Sequence, residues 1–256
     1  MLLLIDTHCH LDQKPLCSSL SEVLAAASLA GITRFVVPGV HPGNWGKIAL
    51  LAQNHGNIFP AFGIHPMHAD LVDEKVMREL AELAPSGVAI GETGLDPAYP
   101  VSPEVQEAAF RSQIRLAAEL ELPLLVHCRR AFQRTLQIIK EEGLETGGIM
   151  HAFSGSVEMA LEFIRAGFLI SVAGTVTWHN AVRPKKVASC IPLSSMVFET
   201  DAPDLTPHSF RGMPNQPAWM TESIIAVAEL RGMLVTELVS IATENSERAL
   251  KKISQH

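Results

Sequence analysis

Aromatic residues make up only 5% of the chain, with a single tyrosine, Tyr99. Any one aromatic is therefore by default a core residue. Cysteine is equally sparse. Cys9, Cys17, Cys128 and Cys190 stand singly, with no CxxC pair, which excludes a disulfide framework and reads as reduced thiols in a cytosolic protein. Positive charge is in deficit, at a formal net charge of −7. That excludes a protein coating duplex nucleic acid through a broad basic surface. It leaves room for an enzyme that grips one phosphate locally, because a bound dication inverts the local sign. Long apolar runs are missing too. The start, MLLLID, is too short for a signal peptide and has no basic region before it, and no stretch reaches the length of a membrane span. The expectation is a cytoplasmic protein with no membrane contact. We find no repeat and no linker rich in Pro, Gly or Ser.

What the chain does have is a core. Hydrophobic residues reach 47% and charged ones 18% over 256 residues, which argues against disorder. Chain length alone suggests two domains, but closed α/β barrels of about 250 residues fold as one. Short apolar runs recur at Leu2–Ile5, Thr33–Val37, Ile58–Phe62, Val88–Ile90, Pro123–Val126, Gly148–Met150, Phe168–Val172 and Met196–Phe198. Several are continuously apolar, as in parallel strands covered on both faces. Helical spacing marks the stretches between them, at Ser21–Ala30, Lys75–Leu83, Glu104–Leu120, Phe132–Glu142 and Val157–Ala166. Ser19 and Glu22 form a candidate capping box, and Gly31, Gly143 and Gly167 sit where helices end. Pro217–Gly232 and Thr236–Lys252 read as closing helices. The pattern predicts a single-domain TIM (β/α)8 barrel over 1–256, with an open doubly wound sheet as the alternative.

Six potential metal ligands fall at strand ends. His8 and His10 follow strand one, Glu92 follows strand four, and His127 ends strand five. His151 ends strand six and Asp201 follows strand eight. In a barrel these ends share one face, where active sites of this fold are built. Residues i and i+2 of a strand point the same way, so His8 and His10 can both face the axis while Cys9 turns away. A lone histidine is more often a satisfied core residue than a ligand. Several at equivalent strand ends weaken that reading. Glu92, between Gly91 and Gly94, reads either as a turn carboxylate in water or as a bridge between cations; the strand before it favours the bridge. Glu199 lies two residues before Asp201, placed to support it from outside.

With HxH, GETGLD, HCR, HAFSG and ETDAP in hand, the chain resembles the TatD-type metal-dependent deoxyribonucleases of the wider amidohydrolase superfamily. The resemblance runs from DTHCHLD at 6–12 to ENSERAL at 244–250. It implies a TIM barrel with two divalent metal ions per subunit (zinc, manganese, nickel or magnesium). His8, His10 and Asp201 would hold one, His127 and His151 the other, with Glu92 bridging. It also implies hydrolysis of phosphodiester bonds at a 3′ end of single-stranded DNA. The chain departs from the common pattern at Pro97-Ala98-Tyr99, Ala152 and Asp204, all in loops that shape a pocket.

The expected chemistry is attack by a metal-activated water, with Glu92 and Asp201 as catalytic carboxylates and Asp201 moving the proton. His65, Arg129 and Arg211 are candidate substrate-binding residues; alternation sends one of Arg129 and Arg130 toward the mouth. Phe153, Tyr99 and Trp178 are candidates to stack on bases. A structural histidine is the rival reading of His65 and still more of His68, while nothing positions His41, His55, His179 and His208 together. The expected partner is a nucleic-acid end or a small phosphodiester, with no obligate protein partner. Two rivals remain: hydrolysis of a small amide, ester or lactone at the same site, and metal binding without turnover. Structural zinc sites are closed and cysteine-rich, unlike this His/carboxylate set.

Overall fold

The computed structural model describes residues 3–255, so Leu2 of the first expected strand lies outside the described residues. Eight strands follow one another around one sheet in sequence order: β1 (Leu4–Asp6), β2 (Ile32–Pro38), β3 (Ile58–Phe62), β4 (Ala89–Leu95), β5 (Leu124–Cys128), β6 (Gly148–Met150), β7 (Phe168–Val172) and β8 (Met196–Phe198). Between and after them run α1 (Leu20–Leu29), α2 (Trp45–Asn54), α3 (Glu74–Leu83), α4 (Pro103–Glu119), α5 (Phe132–Glu142), α6 (Val157–Arg165), α7 (Val182–Cys190), α8 (Met220–Arg231) and α9 (Val235–Ala249). This is the expected (β/α)8 barrel.

Parallel ladders join each strand to the next from β1 to β8. The remaining joint, β8 to β1, is held by isolated bonds. Thr7 N–H donates to Phe198 O (3.2 Å), Asp201 N–H to His8 O (2.9 Å) and His10 N–H to Ala202 O (2.8 Å). The buried Asp6 carboxylate reinforces the seam by accepting from Thr200 N–H (2.9 Å), the Thr200 hydroxyl (2.6 Å) and His8 N–H (3.3 Å).

Strand alternation sorts the core into two layers. Ile5, Val36, Ala89, Leu125, Ile149, Leu169 and Val197 fill the barrel interior, closed from below by Leu250 and Ile253. Phe35, Val37, Ile90, Leu124, Val126, Met150, Ile170 and Phe198 point outward into the layer beneath the helices. Burying a side chain of this kind contributes about 1.5–3 kcal/mol. α3, α4 and α6 begin at side-chain caps from Asp73, Ser102 and Ser156. The expected capping box at Ser19 does not form: a 3-10 turn over Leu16–Ser19 leads straight into α1, and the Ser19 side chain makes no cap bond. α5 ends at left-handed Gly143, as its sequence predicts.

Candidate metal centre

Two-residue periodicity places half of the site. On β5 Leu125 faces the interior, so His127 does as well. Ile149 carries His151 the same way, and Val197 carries Glu199. The same rule fails on β4. Ala89 points inward and Ile90 outward, which would send Glu92 outward too. The β4–β5 register slips between Ile90 and Thr93, and that irregularity turns Glu92 to the axis. Glu92 therefore lies inside a strand that runs to Leu95, not after it. Close approach makes this possible. A Cβ at Gly94, whose φ is +146°, would lie 1.8 Å from His127 O, and one at Gly91 would lie 2.6 Å from the Leu125 Cβ. His8 and His10 lie beyond β1, which ends at Asp6, in a bent segment pinned to the β8 side of the seam. Their rings stand 5.0 Å apart and nearly perpendicular, while Cys9 joins the core as expected.

The six expected ligands come together around Glu92. Its Oε2 lies 3.3 Å from His8 Nε2 and 3.9 Å from His10 Nε2. Its Oε1 lies 3.0 Å from His127 Nδ1, 3.1 Å from His151 Nε2 and 3.6 Å from His65 Nε2. Asp201 Oδ1 sits 3.6 Å from His8 Nε2 and 3.5 Å from His10 Nε2. Asp201 adopts a left-handed backbone, φ 55°, which an aspartate tolerates better than most side chains. Each oxygen of Glu92 thus faces a different histidine set.

Two further carboxylates finish the cluster. His127 presents its Nε2 to Asp96 Oδ2 at 3.0 Å, and His151 its Nδ1 to Glu199 Oε1 at 3.2 Å. Glu199 also accepts from Ala152 N–H at 2.6 Å. Such outer carboxylates fix imidazole orientation and raise ligand basicity. Glu199 was anticipated, beside Asp201 rather than His151. Asp96 is an addition to the expected set, and its signal in the sequence is the D of GETGLD.

Charge follows this arrangement. Burial alone would push Glu92 up, but the surrounding histidines hold it well below the usual carboxylate range. Asp201 is held down the same way against its own burial. His8 is lowered by burial and by the neighbouring His151 charge. His151 and His127 are raised against their burial, His151 chiefly by Glu92 and Glu199, His127 by Asp96 and Glu92. Burial drives His65 down to about 3, keeping it neutral. Its Nδ1 accepts from Met67 N–H (3.1 Å), so the ring proton sits on Nε2, facing Glu92.

A cavity of about 680 Å³ opens beside the cluster, lined at its inner end by His127, His151 and Asp201. Arg129 lines it and Arg130 does not, in line with alternation. Arg211 stays outside its lining and lies over Trp178, 5.2 Å from the ring centroid. Trp178 does line it, with its indole N–H bound to Thr206 O. Tyr99 stands edge-on to His65 at 5.3 Å. Phe153 is not a stacking surface; it is buried between Phe132 and Phe163. His41 pairs with His68, and His179 with His208, both away from Glu92.

Residues 5–251 match the family described as TatD related DNase. The chain belongs to this family. It is 39% identical over 253 residues to the uncharacterized metal-dependent hydrolase YabD of Bacillus subtilis, covering 97% of this chain and 99% of the relative. It is 33% identical over 259 residues to the uncharacterized metal-dependent hydrolase TatD of Mycobacterium tuberculosis, covering 96% and 97%. The crystal structure of YjjV, a TatD homolog from Escherichia coli K12, superposes with a TM-score of 0.90 at 30% identity over 97% of this chain and 98% of that one. The protein is thus a metal-dependent hydrolase of the TatD family. Among the described residues no helix is long and apolar enough to cross a membrane.

Proposed function

We propose that the protein hydrolyses phosphodiester bonds at a nucleic-acid end, the 3′ end of single-stranded DNA, using two divalent ions. His8, His10 and Asp201 would hold one, His127 and His151 the other, with Glu92 between them. The observation that carries this reading is the division of Glu92, one oxygen toward each histidine set. The donor geometry fits an ion. Ligand bonds of about 2.0–2.2 Å at tetrahedral angles put neighbouring donor atoms roughly 3.3–3.6 Å apart, and the His8, His10, Glu92 and Asp201 contacts span 3.3–3.9 Å. His8 Nε2 is buried, and its 3.3 Å approach to Glu92 Oε2 lacks hydrogen-bond geometry, an expensive state for an imidazole nitrogen without an ion.

Bound divalent ions supply an acidified water and neutralise charge on phosphoryl oxygens. Asp201 accepts the proton of the attacking water and returns it to the departing 3′ oxygen as the P–O bond breaks. His65, neutral, offers its Nε2–H toward the phosphoryl group. The Arg129 fork suits a phosphate oxygen pair, and Arg211 is braced for the same class of contact by Trp178.

The test strips metal with a chelator, restores zinc, manganese, nickel or magnesium singly, and assays 3′-ended oligonucleotides, aryl phosphodiesters, amides and lactones. Metal-restored turnover of phosphodiesters is expected, with Glu92→Gln and Asp201→Asn each slowing kcat by about 10²–10⁴. Hydrolysis that survives chelation, full activity in either variant, or a preference for amides or lactones overturns the reading.

A further inference from the structure

The chain carries twelve arginines within a net charge of −7. Six pair with glutamates, Arg231 and Arg248 donate to backbone carbonyls, and Arg211 lies over Trp178. The other three, Arg129, Arg130 and Arg183, have no ion-pair, hydrogen-bond or ring partner for their side chains among the described residues. Arg129 lends only its charge to Asp96. All three are exposed, and they line a cleft made of two cavities that share Arg129, Ser154 and Arg183, Arg130 lining the outer one alone.

That cleft begins at the candidate metal centre. The 680 Å³ cavity runs from His127, His151 and Asp201 outward to Arg129, Ser154 and Arg183. The same three residues form one wall of a second cavity of about 650 Å³, whose remaining lining includes Arg130, Phe132 and Arg134. Asp201, at the inner end, is the single carboxylate among the described residues that lines either cavity. Phe132 is half-buried, its ring packed on Phe153, and presents the one aromatic surface of the outer cavity. A groove with three unpaired arginines and an aromatic wall, on an otherwise acidic protein, suits a single strand: arginines follow the phosphates and a ring face receives a base.

We propose that this outer cleft is a second phosphate subsite. Arg130 and Arg183 grip the phosphodiester next to the one being cleaved, Phe132 receives the adjoining base, and oligomers are preferred to dinucleotides. The proposal rests on the phosphodiesterase reading above. It sharpens the substrate class from any phosphodiester to a nucleic-acid strand at least a few nucleotides long.

The experiment uses metal-loaded enzyme and a ladder of 5′-labelled oligodeoxythymidylates from the dinucleotide to the octanucleotide. In the unmodified enzyme kcat/KM should rise with length on the order of tenfold and then level off. Arg130→Ala and Arg183→Ala should each flatten that rise. Each should also reduce the salt dependence of log kcat/KM on the octanucleotide by about 0.7 per arginine removed. Arg78→Ala, which deletes one charge from α3, should keep both the rise and the slope. A flat profile in the unmodified enzyme, or an unaltered profile in both cleft variants while dinucleotide cleavage persists, overturns the subsite and leaves the phosphodiesterase reading intact. Absence of metal-dependent cleavage of every member overturns both.

Discussion

On β5, β6 and β8 the strand period itself delivers His127, His151 and Glu199 to the barrel axis, whereas on β1 and β4 His8, His10 and Glu92 arrive only where that period is broken. The regular half needs little beyond alternating apolar residues. The irregular half needs backbones packed so closely that side chains must be absent at Gly91 and Gly94. A site assembled in this way concentrates its structural vulnerability on one side. The carboxylate at its centre, Glu92, sits on the vulnerable side.

The largest effect should come from Gly94→Ala. Its Cβ would lie 1.8 Å from the His127 carbonyl oxygen, at a φ of +146° that alanine avoids. A loss of about 4 kcal/mol or more is expected, seen as poor soluble yield or a collapsed unfolding midpoint. Gly143→Ala, at left-handed Gly143 with open space around its Cβ position, should cost only about 1 kcal/mol. Equal losses at the two glycines would erase the proposed asymmetry.

Next in size are the carboxylates behind the histidines. Glu199→Gln and Asp96→Asn should each weaken metal binding about 10- to 100-fold in chelator competition. Glu199→Ala should in addition lower the unfolding midpoint of the metal-stripped protein, because Ala152 N–H would lose its acceptor. Unchanged affinity in both variants would mean that neither carboxylate orients its imidazole.

The smallest effect belongs to the seam. Burial pushes the Asp6 carboxyl up to about 7, although Thr200 hydrogen bonds oppose the shift. Its raised value in the folded state makes this a contribution present below the unfolded value near 4 and lost as pH climbs through 7. Asn at this position does not titrate. In metal-stripped protein, the unfolding midpoint of the unmodified chain relative to Asp6→Asn should therefore fall by a few degrees between about pH 5 and pH 8. A difference that stays constant over that range would mean that Asp6 is ionised throughout.

The same asymmetry governs what could be read from the residues alone. β3, β6, β7 and β8 lie at Ile58–Phe62, Gly148–Met150, Phe168–Val172 and Met196–Phe198, as expected, because turn residues bound each apolar run. β4 is longer than expected, since its glycines imitate a turn while serving a ladder. Glu92 aims inward as its sequence position predicts, but the cause, a register slip against β5 with close approach at Gly91 and Gly94, needs the neighbouring strand to be seen. α7 is only weakly marked in the sequence, because Pro184 and two lysines leave it few buried residues, Val187 and Ala188. The role of Asp96 appears only once β4 and β5 place it against His127.

The weakly laddered β8–β1 joint has a consequence for folding energetics. His8 and His10 follow the first strand, and Asp201 follows the last. Any ion gripping both sides fastens the two ends of the sheet like a clasp. Occupancy and closure then draw on one linked free energy, and stability rises as RT ln(1 + [M]/Kd) with free metal concentration. Metal supply would then set how long the folded barrel survives, independently of how fast it turns over substrate.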